Sequence, residues 1–497
     1  MTALMVQGTS SSAGKSLIAT ALCRHFARRG VRVAPFKAQN MSNNARVVAG
    51  GEIGAAQYLQ AVAAGVDPQT RMNPVLVKPE ADMRSQVVVL GAVDAELSAL
   101  PWRERAPILW PVAAESLASL LDDYELVVLE GAGSPAEINL ADCDMTNLRA
   151  AAVADAAVLM VCDIDRGGAF AHLYGTWALL AREDRARIGG FVLNRFRGDR
   201  ELLAGAPARL TELTGVPLAG VVPWLAHGLP DEDGVAEPPL AAGSGRPRVA
   251  VVTYPTASNL DELKPLEQVA DLRFARRPAD LGVAELIVLP GSKHVAADLR
   301  WLRAAGFEEA LRARLGAGAR VLGICGGLQM LGRELRDPAG IDGAGEGLGL
   351  LPLVTTFERD KLVECVEVRF SPTLGGRWGA LAGLDLSGYE IRHGRTRACA
   401  AGEDAPAAAG LRATAGAHPM ADREPVTAAL PGERGWAAGA VLGVTVHGLF
   451  ESPAVVAALL GAAPPEQSLD DAIDELTDAV MDALDVERVE RLAGVAA

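Results

Sequence analysis

The chain has 497 residues, with 47 Lys and Arg against 62 Asp and Glu, a formal charge of −15. Half of it is hydrophobic, but only 4% is aromatic and 53 residues are glycine, so small side chains supply much of the apolar content. A chain this long holds two or three cored domains, and an acidic chain without a Lys/Arg block is expected to have neither nucleic acid nor a membrane surface as partner.

Residues 1–235 alternate short apolar runs with amphipathic segments. Leu4–Gln7, Val31–Phe36, Leu126–Glu130, Ala157–Asp163 and Gly189–Asn194 read as buried strands, and Leu17–Arg29 and Glu115–Leu121 as helices between them. This alternation predicts an α/β domain with a mostly parallel sheet. A Pro/Gly/Ala-rich stretch at 236–247 reads as a linker. A second α/β pattern occupies 248–462, with strands at Val249–Thr253, Leu286–Pro290, Arg320–Ile324 and Val441–His447. Ala400–Gly435 lacks periodicity and reads as a surface excursion. The segment 463–497 is expected to be helical, with Ser468 as N-cap and Leu469, Ile473, Leu476, Val480 and Leu484 on one face. The longest apolar candidate, Ala150–Cys162, is split by Asp155, so no transmembrane helix is expected. The first strand starts within five residues of Met1, which predicts no cleaved leader. Six scattered cysteines argue against a disulfide framework or zinc site and fit a reducing cytoplasm.

Met5-Val6-Gln7 runs into GTSSSAGKS (Gly8–Ser16), a strand, a small-residue loop and a helix start. Backbone N–H groups of such a loop cradle phosphates, Lys15 reaches the β/γ oxygens, and Ser16 can ligate Mg²⁺. Five residues separate Gly8 from Gly14, one more than the standard P-loop; counting from Thr9 restores the spacing but loses the glycine. A plain Gly/Ser turn competes with this reading, and the flanking strand and Ala/Leu-rich helix favour phosphate. Glu130 ends an apolar strand before Gly131-Ala132-Gly133, where a Mg²⁺-binding carboxylate sits in such sheets. Lys37 ends another strand, where a cation can hold a transferring phosphoryl group. Asn194 ends a third, where an amide can read a base edge.

Arg320–Ile324 leads into Cys325-Gly326-Gly327, a nucleophile elbow with Cys in place of Ser. The following helix start favours thiolate. The Gly326 N–H supplies half an oxyanion hole, and the loop Leu289-Pro290-Gly291-Ser292 the other half, assigned to Gly291. Among seven histidines, His447 alone ends an apolar strand after the Cys, so it is the expected base.

Together these stretches resemble the cobyric acid synthase family, glutamine-dependent amidotransferases of cobalamin biosynthesis. The resemblance rests on MVQGTSSSAGKS (Met5–Ser16), APFKAQNMSNN (Ala34–Asn44), GGEIGAAQ (Gly50–Gln57), MNPVLVKP (Met72–Pro79), EGAGSPAEINL (Glu130–Leu140), DIDRGGAFAHLYGT (Asp163–Thr176), NRFRGD (Asn194–Asp199), LPGSKH (Leu289–His294) and GICGGLQML (Gly323–Leu331). It implies a dethiobiotin-synthetase-like P-loop domain followed by a class I glutamine amidotransferase domain of flavodoxin-like α/β type. The implied substrates are ATP with Mg²⁺, L-glutamine and a corrinoid, adenosylcobyrinic acid a,c-diamide, amidated at its b, d, e and g carboxylates through acyl phosphates. The implied roles are ATP binding by Gly8, Gly14, Lys15, Ser16, Lys37 and Asn194, with Asn194 at adenine. Ser16, Glu130 and Glu52 would hold the metal, and a Cys325–His447 dyad would hydrolyse glutamine. Class I glutaminases usually carry Glu two residues after the His; here that residue is Leu449, and Glu451 lies further on. GYEIRHGRT (Gly388–Thr396) has Arg392 where the family usually has His, so neither Arg392 nor His393 receives a role. Ammonia is expected to follow a sheltered route, and arginines of RFRGD and Arg166 to offset corrinoid repulsion at the site mouth. Related amidotransferases acting on another carboxylate, or a non-catalytic P-loop ATPase switch, fit the same two halves.

Overall fold

The computed structural model describes residues 2–81, 84–229, 245–399 and 425–495. The chain forms two compact units, Met1–Asp233 with Gln467–Ala497, and Gly234–Glu466. Most of the expected linker (236–244) and most of the expected excursion (400–424) lie outside the described residues.

The first unit is built on a six-stranded parallel sheet in the order Leu218–Pro223, Ile188–Phe196, Ala157–Asp163, Thr2–Gly8, Leu126–Glu130, Val33–Phe36. Strands covered on both faces need apolar residues at both alternations, which is why they appear as unbroken apolar runs. Met5, Val127, Leu129, Met160 and Cys162 enter one core, while Leu4, Val6, Val128, Leu159 and Val161 enter the other. The helix Lys15–Arg28 buries Ile18, Leu22 and Phe26 in the second core. The C-terminal helix Leu469–Met481 adds Ile473, Leu476 and Val480 to that same core. Residues 463–497 are therefore largely a part of the nucleotide-loop unit, not a separate appendage. Ser468 does cap this helix: its hydroxyl accepts from Asp471 N at 3.1 Å and donates to Asp471 Oδ2 at 2.6 Å. Arg28 reaches across to Asp474 at 2.9 Å and Asp478 at 2.5 Å.

The second unit holds a seven-stranded sheet in the order Asp271–Ala275, Arg248–Val252, Leu286–Leu289, Arg320–Ile324, Val441–Val444, Gly435–Ala438, Thr427–Leu430. The first five strands pair in parallel; the last two close the edge antiparallel. The described end of the expected excursion is thus a pair of strands. Two long antiparallel strands, Leu353–Arg369 and Asp385–Ala398, form a further sheet that sequence periodicity did not reveal. Many of their positions are exposed or half-buried, and their polar residues interrupt any apolar run.

Candidate active sites

In the second unit the chain turns sharply at Cys325, between the strand Arg320–Ile324 and the helix Gly326–Leu331. Its φ of 51° and ψ of −106° are strained for a residue with a Cβ, the hallmark of an elbow that throws a nucleophile outward. Gly327 makes the turn possible: a Cβ there would stand 2.0 Å from Leu289 O. His447 follows the neighbouring strand Val441–Val444, so the parallel pairing of these strands brings base and thiol together. A hydrogen bond joins Cys325 to His447.

Behind His447 stands Glu262, from the turn Leu260–Leu263. Its Oε1 lies 2.8 Å from His447 Nδ1, and its Oε2 accepts from Gly448 N at 2.7 Å. Glu262 is 1% exposed and His447 2%. The site therefore contains a Cys–His–Glu chain, where sequence reasoning found only two members. Leu449 is a core residue, and Glu451 is exposed. Tyr389 stacks on His447, with ring centroids 5.2 Å apart and planes at 17°, and its hydroxyl accepts from Asn259 Nδ2 at 2.8 Å.

These contacts set the charges. Burial pushes the Cys325 thiol up, but the hydrogen bond and charge of His447, then Arg392 and Lys293, outweigh it and hold the thiol below its ordinary value. Burial alone drives His447 down; Glu262's charge and the Cys325 partnership reverse that and raise it from 6.5 to about 10. Cys23 and Cys162 show the opposite outcome, since burial pushes both thiols up. Only a thiol with a cationic partner becomes a thiolate inside a core.

The elbow's Gly326 packs against the loop after Leu286–Leu289, where a Cβ on Gly326 would meet Ser292 N at 2.7 Å. Gly291 and Ser292 pair antiparallel with Ser258 and Ala257. Lys293 N donates to Thr256 O at 3.0 Å, so ladder alternation makes Gly291 and Ser258 the next hydrogen-bonded pair. This register places the expected oxyanion donor, Gly291, at a hydrogen-bonded position of the ladder, while the Ser292 nitrogen lies against Gly326. Arg392 is buried, bonding Glu390 Oε1 at 2.8 Å, whereas His393 bonds Glu358 O at 3.1 Å on the strand's exposed side. His294 pairs with Asp342 at 3.1 Å.

In the first unit the loop after Thr2–Gly8 wraps onto the helix Lys15–Arg28. Gly14 takes a φ of 94°, and a Cβ there would overlap Asn194 Nδ2 at 1.9 Å. Asn194 Nδ2 donates to Ala13 O at 2.9 Å, so this amide nitrogen braces the loop. Gly8 leaves room for the Lys15 stem, with a Cβ meeting Lys15 Cγ, Cδ and Nζ at 3.1 Å. Lys15 Nζ donates to Ser10 O at 3.0 Å and Gly133 O at 3.2 Å.

Glu130 is the hub. One oxygen accepts from Ser16 Oγ at 2.9 Å and Lys37 Nζ at 2.7 Å; the other from Gln60 Nε2 at 2.6 Å, with Gln57 Nε2 at 3.4 Å. The hub thus gathers Lys15, Ser16, Lys37 and Glu130 around one loop. The Ser16 hydroxyl and the Glu130 carboxylate, 2.9 Å apart, are hard oxygen donors of the kind that suit Mg²⁺. Glu52 pairs with Lys78, both fully buried, from the hairpin Ala45–Val48/Gly51–Gly54. Glu52, the expected second metal carboxylate, thus sits against a buried ammonium, as Glu130 does against Lys37. Among the described residues no group of three His, Cys, Asp or Glu is arranged to hold a metal.

The arginines expected at the site mouth are also partly neutralised. Arg195 lies 3.0 Å and Arg166 3.3 Å from Asp163, and Arg197 is 3.2 Å from Asp165. Arg197 also lies 3.7 Å above the Trp224 ring. No described helix is long and apolar enough to cross a membrane.

A P-loop-type nucleotide site and a Cys–His–Glu site at a strand–helix elbow, in one chain, belong to a glutamine-hydrolysing carbon–nitrogen ligase. Residues 4–228 match the CobQ/CobB/MinD/ParA nucleotide binding domain, and residues 248–455 the CobB/CobQ-like glutamine amidotransferase domain. The chain is 54% identical over 484 residues to cobyric acid synthase of Polaromonas naphthalenivorans, covering 96% of each. It is 55% identical over 493 residues to cobyric acid synthase of Paracidovorax citrulli, again covering 96% of each. The chain belongs to the cobyric acid synthase family.

Proposed function

We propose that this chain amidates the b, d, e and g carboxylates of adenosylcobyrinic acid a,c-diamide, using ATP for activation and glutamine for nitrogen. The observation that carries the reading is the buried thiol held low beside an imidazole held high, in a chain that also gathers Lys15, Ser16, Lys37 and Glu130.

At the glutaminase site, the Cys325 thiolate attacks the carboxamide carbon of glutamine. The oxyanion is received by the N–H groups of Gly326 and Ser292. His447, charged and held by Glu262, gives its proton to the leaving ammonia as the thioester forms. Water, deprotonated by His447, then releases glutamate. At the nucleotide site, a corrinoid carboxylate oxygen attacks the γ-phosphorus of ATP and ADP leaves. Ammonia attacks the acyl phosphate and phosphate departs. Lys15 and Lys37 orient the phosphates and balance charge on the transferring group. Ser16 and Glu130 would hold Mg²⁺, which would neutralise charge on the phosphates. Asn194 braces the loop through Ala13 and presents Oδ1 to adenine.

The test uses substrate carrying ¹⁸O in its carboxylates. One labelled oxygen should appear in phosphate for each amide formed; unlabelled phosphate rejects the acyl-phosphate route.

A further inference from the structure

Asp298 has no part in the chemistry just described, yet it is 1% exposed and lies in the first turn of the helix Val295–Ala304. Its Oδ1 accepts from Thr256 N at 3.1 Å, and its Oδ2 accepts from Thr256 Oγ1 and Ser292 Oγ, each at 2.6 Å. A buried carboxylate is costly unless donors such as these hold it. Both hydroxyl oxygens also accept from His294 N, Thr256 Oγ1 at 3.0 Å and Ser292 Oγ at 3.2 Å. A carboxylate only accepts, so both hydroxyls aim their protons at Asp298.

Of the two residues so gripped, Ser292 belongs to a two-residue antiparallel bridge, Ala257–Ser258 with Gly291–Ser292, and Thr256 immediately precedes it. On one side the chain continues to Asn259, which holds Tyr389, and to Glu262, which holds His447. On the other side is Ser292 N, packed against Gly326. Tyr254 adds a hydrogen bond from its hydroxyl to Pro290 O. The bridge alone is two residues long, too short to fix a backbone amide rigidly; the carboxylate staples its open end.

We propose that Asp298 is a positioning residue of the glutaminase: by clamping Ser292 to Thr256 it holds the Ser292 N–H where the oxyanion of the tetrahedral intermediate forms. An oxyanion donor acts only when charge develops on the carboxamide oxygen, so its loss lowers kcat and leaves ground-state binding and thiolate reactivity alone. The inference rests on the reading of Cys325 as the glutamine nucleophile.

The test compares wild type, Asp298→Asn, Ser292→Ala and Cys325→Ala in the full chain, measuring glutaminase kcat and KM and the rate at which iodoacetamide alkylates Cys325. Alkylation is a displacement at a CH₂ group and forms no oxyanion, so it reads the thiolate by itself. Asp298→Asn puts a donor where two hydroxyls already point their protons; Ser292→Ala removes one of the gripped hydroxyls and serves if the first variant folds poorly. Both should lose at least about tenfold in kcat, with KM within about threefold and alkylation within about twofold of wild type. Unchanged kcat in either folded variant overturns the proposal. So does alkylation slowed as much as kcat, which would mark disruption of the Cys–His pair, or an effect confined to KM. The Cys325→Ala arm separates the two ideas: if it hydrolyses glutamine like wild type, the nucleophile assignment itself fails.

Discussion

Replacing Glu262 by Gln removes a charge and keeps the shape of the side chain. The amide oxygen can still accept from Gly448 N, so the turn should hold. What disappears is the leading influence that raises His447 from 6.5 to about 10 against burial. At about 1.4 kcal/mol per decade of proton affinity, the net preference for imidazolium is on the order of 5 kcal/mol, shared between Glu262 and the Cys325 thiolate. Losing the Glu262 portion should lower the alkaline limb of kcat/KM for glutamine by about 1–2 pH units, because the proton leaves His447 more easily. The acid limb should rise, since a neutral imidazole no longer holds the thiol down. At neutral pH, kcat should fall by roughly 10²-fold; a triad carboxylate in serine enzymes contributes about 10⁴, and a pair that rests already ionised depends on it less. The raised imidazole also contributes stability that is fully present below about pH 6.5 and lost as pH climbs through about 10, so alkaline unfolding should begin at lower pH in the variant. The assays are glutamate release across pH and thermal melts across pH. A variant within threefold of wild type, with an unmoved alkaline limb, would refute the three-residue chain.

Three other outcomes follow from the nucleotide unit and its core. Glu130→Gln removes the carboxylate that Ser16 and Lys37 share; ATP-dependent amidation should fall at least about 10²-fold with a raised Mg²⁺ requirement, and normal Mg²⁺ titration would contradict the assignment. Glu52→Gln removes a buried carboxylate paired with Lys78 and should cost about 3–5 kcal/mol in a denaturant or thermal melt, while the Mg²⁺ titration stays as in wild type; a changed Mg²⁺ requirement would make Glu52 a ligand. Ile473→Ala, in the C-terminal helix, should cost about 2–5 kcal/mol in the nucleotide unit, and a loss below about 0.5 kcal/mol would show that this helix is not part of its core.

Much of the architecture was legible because buried parallel strands must be apolar on both faces. Ala157–Asp163, Leu126–Glu130 and Arg320–Ile324 begin and end where the apolar runs do. The elbow was legible for a steric reason, since glycines must frame a strained Cys. Glu262 was not: it comes from a turn far upstream of both partners, and only the fold carries it to His447. Glu52 has the right side chain for a metal, but its hairpin delivers it to Lys78, which no spacing announces. Which of Gly291 and Ser292 turns its N–H into the ladder depends on the register of two residues, below the reach of any periodicity. The Leu353–Arg369 and Asp385–Ala398 strands escaped notice because a half-exposed sheet tolerates charge at alternate positions.

The central claim is that nitrogen freed by Cys325 becomes corrinoid amide. Supplying glutamine labelled with ¹⁵N at its amide and weighing the corrinoid product tests this directly. Wild type should incorporate the label at every new amide, and Cys325→Ala should incorporate none from glutamine while still using concentrated ¹⁵N-ammonium. Label from glutamine appearing in the product of Cys325→Ala would contradict the account.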